Sequence, residues 1–400
     1  MKIPQGEGER PGTTWAARSP PDSLPPVPLR VAIVGSGVIG LACARALVRA
    51  GAAVTVVDGG AHGREASIAA AGILGPGSES EKDTPLFRLS LEALREWPET
   101  VAALERESRR AIDLRSEGSL LLGFDDGDVA ALDARGRVHR GAGLASRLLT
   151  GDEVRRLEPR ISPRVVAALH VPERRIDNAA LHAAYEEACR ALGVVYRSGA
   201  QATRVVDVEG RVAGLLVGDE TIEADAVVIA AGAWSDALAA TTGVQLPNRP
   251  IKGQLVRVEA PDGFLSHVVK RGIAYAVPHT GRGIVLGTTA EDVGFDRGLS
   301  TAVEAAVRRA AEELVVGLGS RPVLETWIGF RPRLSDLLPA IGPVASRPGL
   351  FLATGHYRNG ILLAEKTGTL VARAVLGDVD PRLAAFSPDR FGDGARVPHP

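Results

Sequence analysis

The segment that most constrains this 400-residue chain is Val31-Ala-Ile-Val-Gly-Ser-Gly-Val-Ile-Gly40. An apolar run meets Gly35-x-Gly37-x-x-Gly40, and the small, helix-forming residues Leu41–Leu47 follow. A second apolar run, Val54-Thr-Val-Val57, ends at Asp58. This order predicts a strand, a tight turn, a helix and a second strand, with an acid about 20 residues beyond the glycines. Each part has a physical job. Gly35 permits the turn. Gly37 has no Cβ, so a pyrophosphate can approach the backbone, and Gly40 lets helix and strand pack closely. The turn and helix start, with Ser36, Val38 and Ile39, offer free N–H groups to phosphate charge. Asp58 suits a ribose hydroxyl. The unit predicts a dinucleotide site in an α/β chain.

The bulk numbers bound the rest. A chain of 400 residues suggests two domains or more. With 45% hydrophobic and 24% charged residues it has the balance of a globular protein. A net charge of −1 gives no basic excess to hold nucleic acid. No apolar run of about 18 residues is present, so no membrane-spanning helix is expected. Residues 1–29 hold seven prolines and no apolar h-region, and read as a disordered extension rather than a signal peptide. The two cysteines, Cys43 and Cys189, fall in predicted helices and read as small buried hydrophobes. With no disulfide framework, a reducing, cytoplasmic setting is expected. His267 and His279 lack companions at metal-ligand spacing, so no metal is expected.

Along the chain, the glycine- and alanine-rich stretch His62–Gly75 reads as a loop into a short helix, or as backbone passing close to a flat ligand. Residues 86–111 have helical spacing, Ser119–Phe124 reads as a strand, and residues 126–160 as two short helices. Val165–Val171 follows as a strand. Asn178–Leu192 reads as a helix capped by Asp177 or Asn178. Strands follow at 194–197, 202–208 and 212–217, and a buried strand in Glu223–Ser235 ends in a glycine turn. Short β-like runs fill 251–290, a helix 301–318, a buried strand 350–355 and a last helix 360–376. An apolar strand followed by a glycine turn thus recurs at Val227–Gly232 and Phe351–Gly355. Three strand ends meeting at one sheet edge can hold a cofactor larger than a nicotinamide nucleotide, and a flavin is the expectation. The order suggests one nucleotide domain in separated segments, interleaved with a second domain.

Several of these segments together carry a family resemblance. They are Gly35–Gly40, Ala69-Ala-Ala-Gly-Ile-Leu74, Ile229-Ala-Ala-Gly-Ala-Trp-Ser235, Gly329-Phe-Arg-Pro332 and Thr354-Gly-His-Tyr-Arg-Asn-Gly-Ile-Leu-Leu363. The chain resembles the D-amino-acid oxidase family of FAD enzymes over residues 30–385, and within it the glycine-oxidase branch that serves the thiazole of thiamine. The resemblance implies an α/β fold with a Rossmann-type, glutathione-reductase-like FAD domain. That domain would comprise 30–84, 172–245 and 326–390. An α+β substrate domain on an antiparallel sheet would comprise 85–171 and 246–325. It further implies that Gly35, Gly37 and Gly40 lie under the pyrophosphate and Asp58 binds the ribose. Ala70, Ala71 and Gly72 would border the flavin ring, and Val206 would contact the adenine region. Ala231, Gly232 and Trp234 would flank the FAD. Gly355, His356, Arg358, Asn359, Gly360 and Ile361 would face the flavin pyrimidine edge. Arg331 resembles the arginine that pairs with the substrate carboxylate, with Tyr275 and Arg358 as pocket neighbours.

The chemistry implied is hydride transfer from an amino-acid Cα to flavin N5, which rests on positioning and electrostatics rather than on a strong acid or base. An arginine suits the anchor because its planar fork binds a carboxylate bidentately and stays charged. Arg331 is preferred to Arg333 because Pro332 stiffens its backbone. Asp336 reads as a loop cap. The implied reaction takes glycine or another small amine, passes electrons to O2 and releases H2O2. Two departures bear on this. No cysteine lies beyond Cys189, so FAD is expected to be noncovalent. Ala290 stands where relatives tend to place a pocket methionine, which leaves room for a larger substrate. The rival activities are a quinone-linked D-amino-acid dehydrogenase and a sarcosine or N-methyl amino-acid oxidase. A noncatalytic flavin scaffold is the third alternative, and self-association is left open.

Overall fold

The computed structural model describes residues 28–60 and 65–392. All of the expected 1–29 extension but Pro28 and Leu29, and residues 62–64 of the glycine- and alanine-rich stretch, lie outside the described residues.

Strands Arg30–Val34 and Ala53–Asp58 are too uniformly apolar for a half-exposed sheet, and both lie inside one. That sheet has six strands. Their spatial order is Ala340–Pro343, Leu350–Thr354, Ala226–Ile229, Arg30–Val34, Ala53–Asp58 and Val195–Ser198. All neighbours are parallel except the edge pair Ala340–Pro343 with Leu350–Thr354. Strands far apart in sequence therefore end side by side, at Val34, Ile229 and Thr354. Helices Val38–Arg49, Asn178–Ala191, Gly360–Val375 and Pro85–Ser108 cover one face and share its core. Small residues let the first and third approach closely: a Cβ on Gly368 would sit 2.5 Å from the Ala42 carbonyl oxygen. Within this core Arg45 is 2% exposed and pairs with Glu107 and Glu365, and the Tyr185 hydroxyl donates to Glu365. The opposite face packs on a three-stranded meander, 202–208, 211–217 and 220–223, and on helix Ser235–Ala240.

A second sheet of eight strands runs Val323–Leu334, Asn248–Val258, Gly283–Gly287, Ala274–His279, Val268–Arg271, Ser119–Gly123, Ala167–Val171 and Arg147–Thr150. Its pairings are antiparallel except Val268–Arg271 with Ser119–Gly123. Strand alternation splits its residues between two faces. Val256, Ala276, Ile284 and Leu286 pack under helix Thr301–Leu314, whereas Leu255, Val277 and Val285 face Ala71. Ala71 lines the same cavity as Gly35 and Gly37 of the turn after the first strand.

Most elements fall where periodicity places them. Two stretches pack differently from the segment boundaries expected. Helix Pro85–Ser108 lies in the stretch expected for the substrate domain, yet Leu89, Trp97 and Leu104 sit in the core under the six-stranded sheet. Strand Val323–Leu334 reaches into the stretch expected for the FAD domain, yet it pairs along Asn248–Val258. Helical periodicity shows which face is apolar but not which core receives it. Between the two helices in 126–160 the chain also forms an edge strand, Arg147–Thr150.

Candidate active site

The first strand delivers its chain into a turn that only glycine fits. Gly35 has φ +107°, and a Cβ there would lie 2.5 Å from the Ala230 carbonyl oxygen at the end of the neighbouring strand. A Cβ on Gly40 would lie 1.9 Å from the Gly35 carbonyl oxygen. Asp58 closes the turn. Its Oδ2 accepts from the Ser36 N–H at 2.6 Å and the Ser36 hydroxyl at 2.7 Å, and Oδ1 accepts from the Gly60 N–H at 2.9 Å. The carboxylate keeps lone-pair capacity for a ribose hydroxyl, because two oxygens offer about four acceptor sites. His182 Nε2 donates to the Ser36 carbonyl at 2.8 Å, and the Val38 N–H donates to Ser67 Oγ at 3.0 Å.

From this turn a cavity of about 710 Å³ runs between the two sheets. Asp58, Gly59, Gly60 and Gln201–Thr203 line one end; Tyr275, Arg331 and Arg358 line the other. Small residues make up much of the remaining lining: Ala66, Ala69, Ala70, Ala71, Gly72, Ala231 and Gly232. Gly329 admits the Ala66–Ala69 helix, since a Cβ there would lie 2.5 Å from the Ala69 Cβ. A cavity of this volume, lined by the glycine turn at a helix N-terminus and by many small residues, suits the pyrophosphate charge and size of FAD. The cysteines lie elsewhere: Cys43 and Cys189 are buried in the helical core.

Of the residues expected at the site, Gly35, Gly37, Val38, Ile39 and Asp58 line the cavity, as do Ala70, Ala71, Gly72, Ala231, Gly232 and Trp234. So do Tyr275, Arg331, His356, Arg358, Asn359, Gly360 and Ile361. Four expected residues do not line it. Ser36 and Gly40 act one step back, through Asp58 and through helix–strand packing. Gly355 serves a turn at φ +76°, where a Cβ would strike Leu334. Val206 lies further along its strand, paired with Gly214, and Gln201, Ala202 and Thr203 line the cavity instead. Ala290 is exposed and off the cavity; Thr288 lines it. Asp336 Oδ1 caps its loop by accepting from the Leu338 N–H at 3.1 Å.

At the charged end, Arg331 Nη1 donates to the Thr289 carbonyl at 3.1 Å and Nη2 to the Thr288 hydroxyl at 2.9 Å. Two glycines make room here, one for Arg331 and one for Tyr275. A Cβ on Gly253 would lie 2.2 Å from Arg331 Nη1, and one on Gly287 would lie 2.1 Å from the Tyr275 ring. Burial raises the Tyr275 hydroxyl above its usual range, against the nearby Arg331 charge. Burial pushes His356 down to about 3, so its ring is neutral, and Nε2 lies 3.0 Å from Thr367 Oγ1. Arg358 pairs with Glu79, as Lys270 does. Burial opposes the charge on Glu79, but Lys270 and Arg358 outweigh it and hold the carboxyl below the usual range. Arg333 pairs with Asp292 at 2.9 Å, leaving Arg331 as the cavity arginine of that strand.

Gly253, Glu79, Lys270 and Thr288 were not expected from sequence. One signal was present for Lys270. The chain uses 42 arginines against 5 lysines, and this lysine interrupts an apolar strand, Val268-Val-Lys.

The model of the DAO family, described as FAD dependent oxidoreductase, matches residues 30–374. Glycine oxidase of Geobacillus kaustophilus is 35% identical over 351 residues, covering 86% of this chain and 92% of that protein. Its crystal structure superposes with a TM-score of 0.87 at 34% identity, over 90% of this chain and 99% of that one. The bifunctional protein ThiO/ThiG of Trichormus variabilis is 32% identical over 90% of this chain, which spans 55% of that longer protein.

Proposed function

Because the chain belongs to the DAO family of FAD-dependent oxidoreductases, we propose that it oxidises glycine or another small amino acid at Cα. The amine becomes an imine, which hydrolyses to a keto acid and ammonia while O2 is reduced to H2O2. The observation that carries the reading concerns charge. Lys270, Arg297, Arg331 and Arg358 line the cavity. Lys270 and Arg358 pair with Glu79, and Arg297 with Glu65 at 2.7 Å. Of these four cavity cations, Arg331 alone has no carboxylate partner among the described residues; it is held by neutral oxygens. A guanidinium fixed in direction and left without an anion is a ready fork for a substrate carboxylate.

FAD, when bound, supplies the two-electron acceptor, and no cysteine borders the cavity to tether it. The remaining work falls to the protein. Arg331 fixes the carboxylate and thereby the direction of the Cα–H bond. Tyr275, kept neutral, offers its hydroxyl beside that guanidinium. His356 stays uncharged and adds no competing cation. Glu65 and Glu79 are ion-paired and Asp58 holds the glycine turn, which leaves solvent as the acceptor of the substrate ammonium's proton on this reading. The likeness to ThiO/ThiG supports a role in thiamine biosynthesis.

Purified protein mixed anaerobically with glycine, D-alanine or sarcosine tests the reading: glycine or D-alanine is expected to bleach the flavin, and air to restore colour with one H2O2 per turnover. A flavin that no small amine bleaches refutes it. Bleaching without peroxide in air assigns the electrons to another acceptor, such as a quinone.

A further inference from the structure

The charged end of the cavity holds two cationic places, and they are filled differently. Arg331 faces the cavity with only neutral contacts. Lys270 and Arg358 come from separate parts of the chain and meet on one carboxylate, Glu79. Lys270 Nζ donates to Glu79 Oε1, and Arg358 Nη1 donates to Oε2 at 3.3 Å. Both carboxylate oxygens are thus committed. Lys270 is almost wholly buried, and its further contacts, the Ser78 carbonyl at 3.4 Å and hydroxyl at 3.3 Å, are long and neutral. Glu173 lies nearby. Its Oε1 accepts from the Ser78 N–H at 2.6 Å, and burial raises its carboxyl above the usual range, so it is the weaker counter-charge to Lys270. Burying a lysine without an anion is costly, so Glu79 is what allows Lys270 to sit at this wall.

We infer that Glu79 is a specificity-determining residue: its carboxylate fills a second anion subsite, formed by Lys270 and Arg358, and so restricts the enzyme to amino acids with a single carboxylate. The inference rests on the proposed role of Arg331. An amino acid places one carboxylate on Arg331. A dicarboxylic analogue would bring a second, and the cations able to receive it are already neutralised from within. Its approach would also set it against the Glu79 charge at close range, where repulsion is weakly screened. Removing that charge reverses both effects, because it frees two donors and removes the repulsion.

The test uses FAD-loaded enzyme and simple anions that cannot be oxidised. Acetate and malonate are titrated anaerobically, and binding is read from perturbation of the oxidised flavin spectrum. Wild-type enzyme is expected to bind malonate no more tightly than acetate. In Glu79→Gln, the malonate-to-acetate affinity ratio is expected to rise at least about tenfold, the scale of one charge-assisted hydrogen bond. The kcat/KM ratio for iminodiacetate over glycine is expected to rise with it. Glu79→Ala carries the same expectation without an amide in the subsite. Wild-type enzyme that already prefers malonate tenfold overturns the inference, and so does an unchanged ratio in both variants. Acetate that fails to bind wild-type enzyme, or binds Arg331→Ala equally well, refutes the carboxylate role of Arg331 instead, so the two failures are distinguishable.

Discussion

The two ends of the cavity are built by different means. The turn at Gly35–Gly40 is made of backbone supplied by one contiguous stretch, and Gly35 and Gly40 are required because neighbouring main-chain atoms lie where a Cβ would be. The opposite end is made of side chains. Glu79, Lys270, Thr288, Arg331 and Arg358 come from five places in the chain and line one end of the cavity. On the proposed reading, the first end serves the FAD and the second reads the substrate. A backbone cradle tolerates almost no change in volume, whereas a side-chain cluster can be recharged one group at a time.

The largest effect expected breaks the cradle. Gly40→Val would drive its side chain into the Gly35 carbonyl oxygen, 1.9 Å from the new Cβ. Overpacking commonly costs about 1–3 kcal/mol, and here the obstacle is backbone that cannot yield. Loss of FAD from the purified protein and a fall in Tm are expected. Normal FAD content would show that the turn is more pliable than the comparison holds.

The next effect separates the ends. Arg331→Ala removes two charge-assisted hydrogen bonds to a carboxylate, worth about 1.5–3 kcal/mol each, so the glycine KM should rise on the order of 10²-fold or more with FAD retained. Gly253→Ala should act in the same direction and more weakly. Its Cβ would lie 2.2 Å from Arg331 Nη1, turning the guanidinium aside without removing it. Steady-state kinetics beside FAD content checks both, and an unchanged KM in Gly253→Ala would remove the need for a glycine there.

pH sharpens the comparison without mutation. Glu79 is held below the usual carboxylate range, His356 is pushed down to about 3, and Tyr275 is raised above its usual value. Glu79 therefore remains charged, and the other two uncharged, between about pH 5 and 9. The rise of kcat/KM with pH should then follow the amine of the substrate. Profiles for two substrates of different amine basicity should have midpoints that differ by that basicity; a shared midpoint would assign the titration to the protein.

The smallest effect lies at the cradle's margin. Ser67→Ala takes the hydroxyl from the Val38 N–H, a bond worth about 0.5–1.5 kcal/mol. FAD affinity should change less than about tenfold, measured by fluorescence during dilution.

Legibility in the sequence follows the same division. The cofactor end was readable because strand, glycines, helix and acid lie within 29 residues, from Arg30 to Asp58, and each leaves a local mark. Ala69–Leu74 stands out by its small residues, and Thr354–Leu363 through its family resemblance; residues of both line the cavity. Arg331 was found through the motif around it, not through its own type. Glu79 and Lys270 left almost no trace, since an ion pair 191 residues apart has no periodicity. Gly253 and Gly287 read as ordinary breaks in short strands, because the side chains they admit belong to other strands. Ala290 shows the converse: the resemblance implied a pocket place for it, yet it lies exposed, and Thr288 lines the cavity.

On the proposed reading, Arg331, the cavity cation without a carboxylate partner among the described residues, holds the substrate in front of a bound FAD. The most direct measurement is anaerobic bleaching of the flavin by glycine in wild-type enzyme and in Arg331→Ala, each at full FAD content. Bleaching of the wild type at low glycine, with the variant needing on the order of 10²-fold more, is the predicted result. Identical glycine dependence in the two would contradict it.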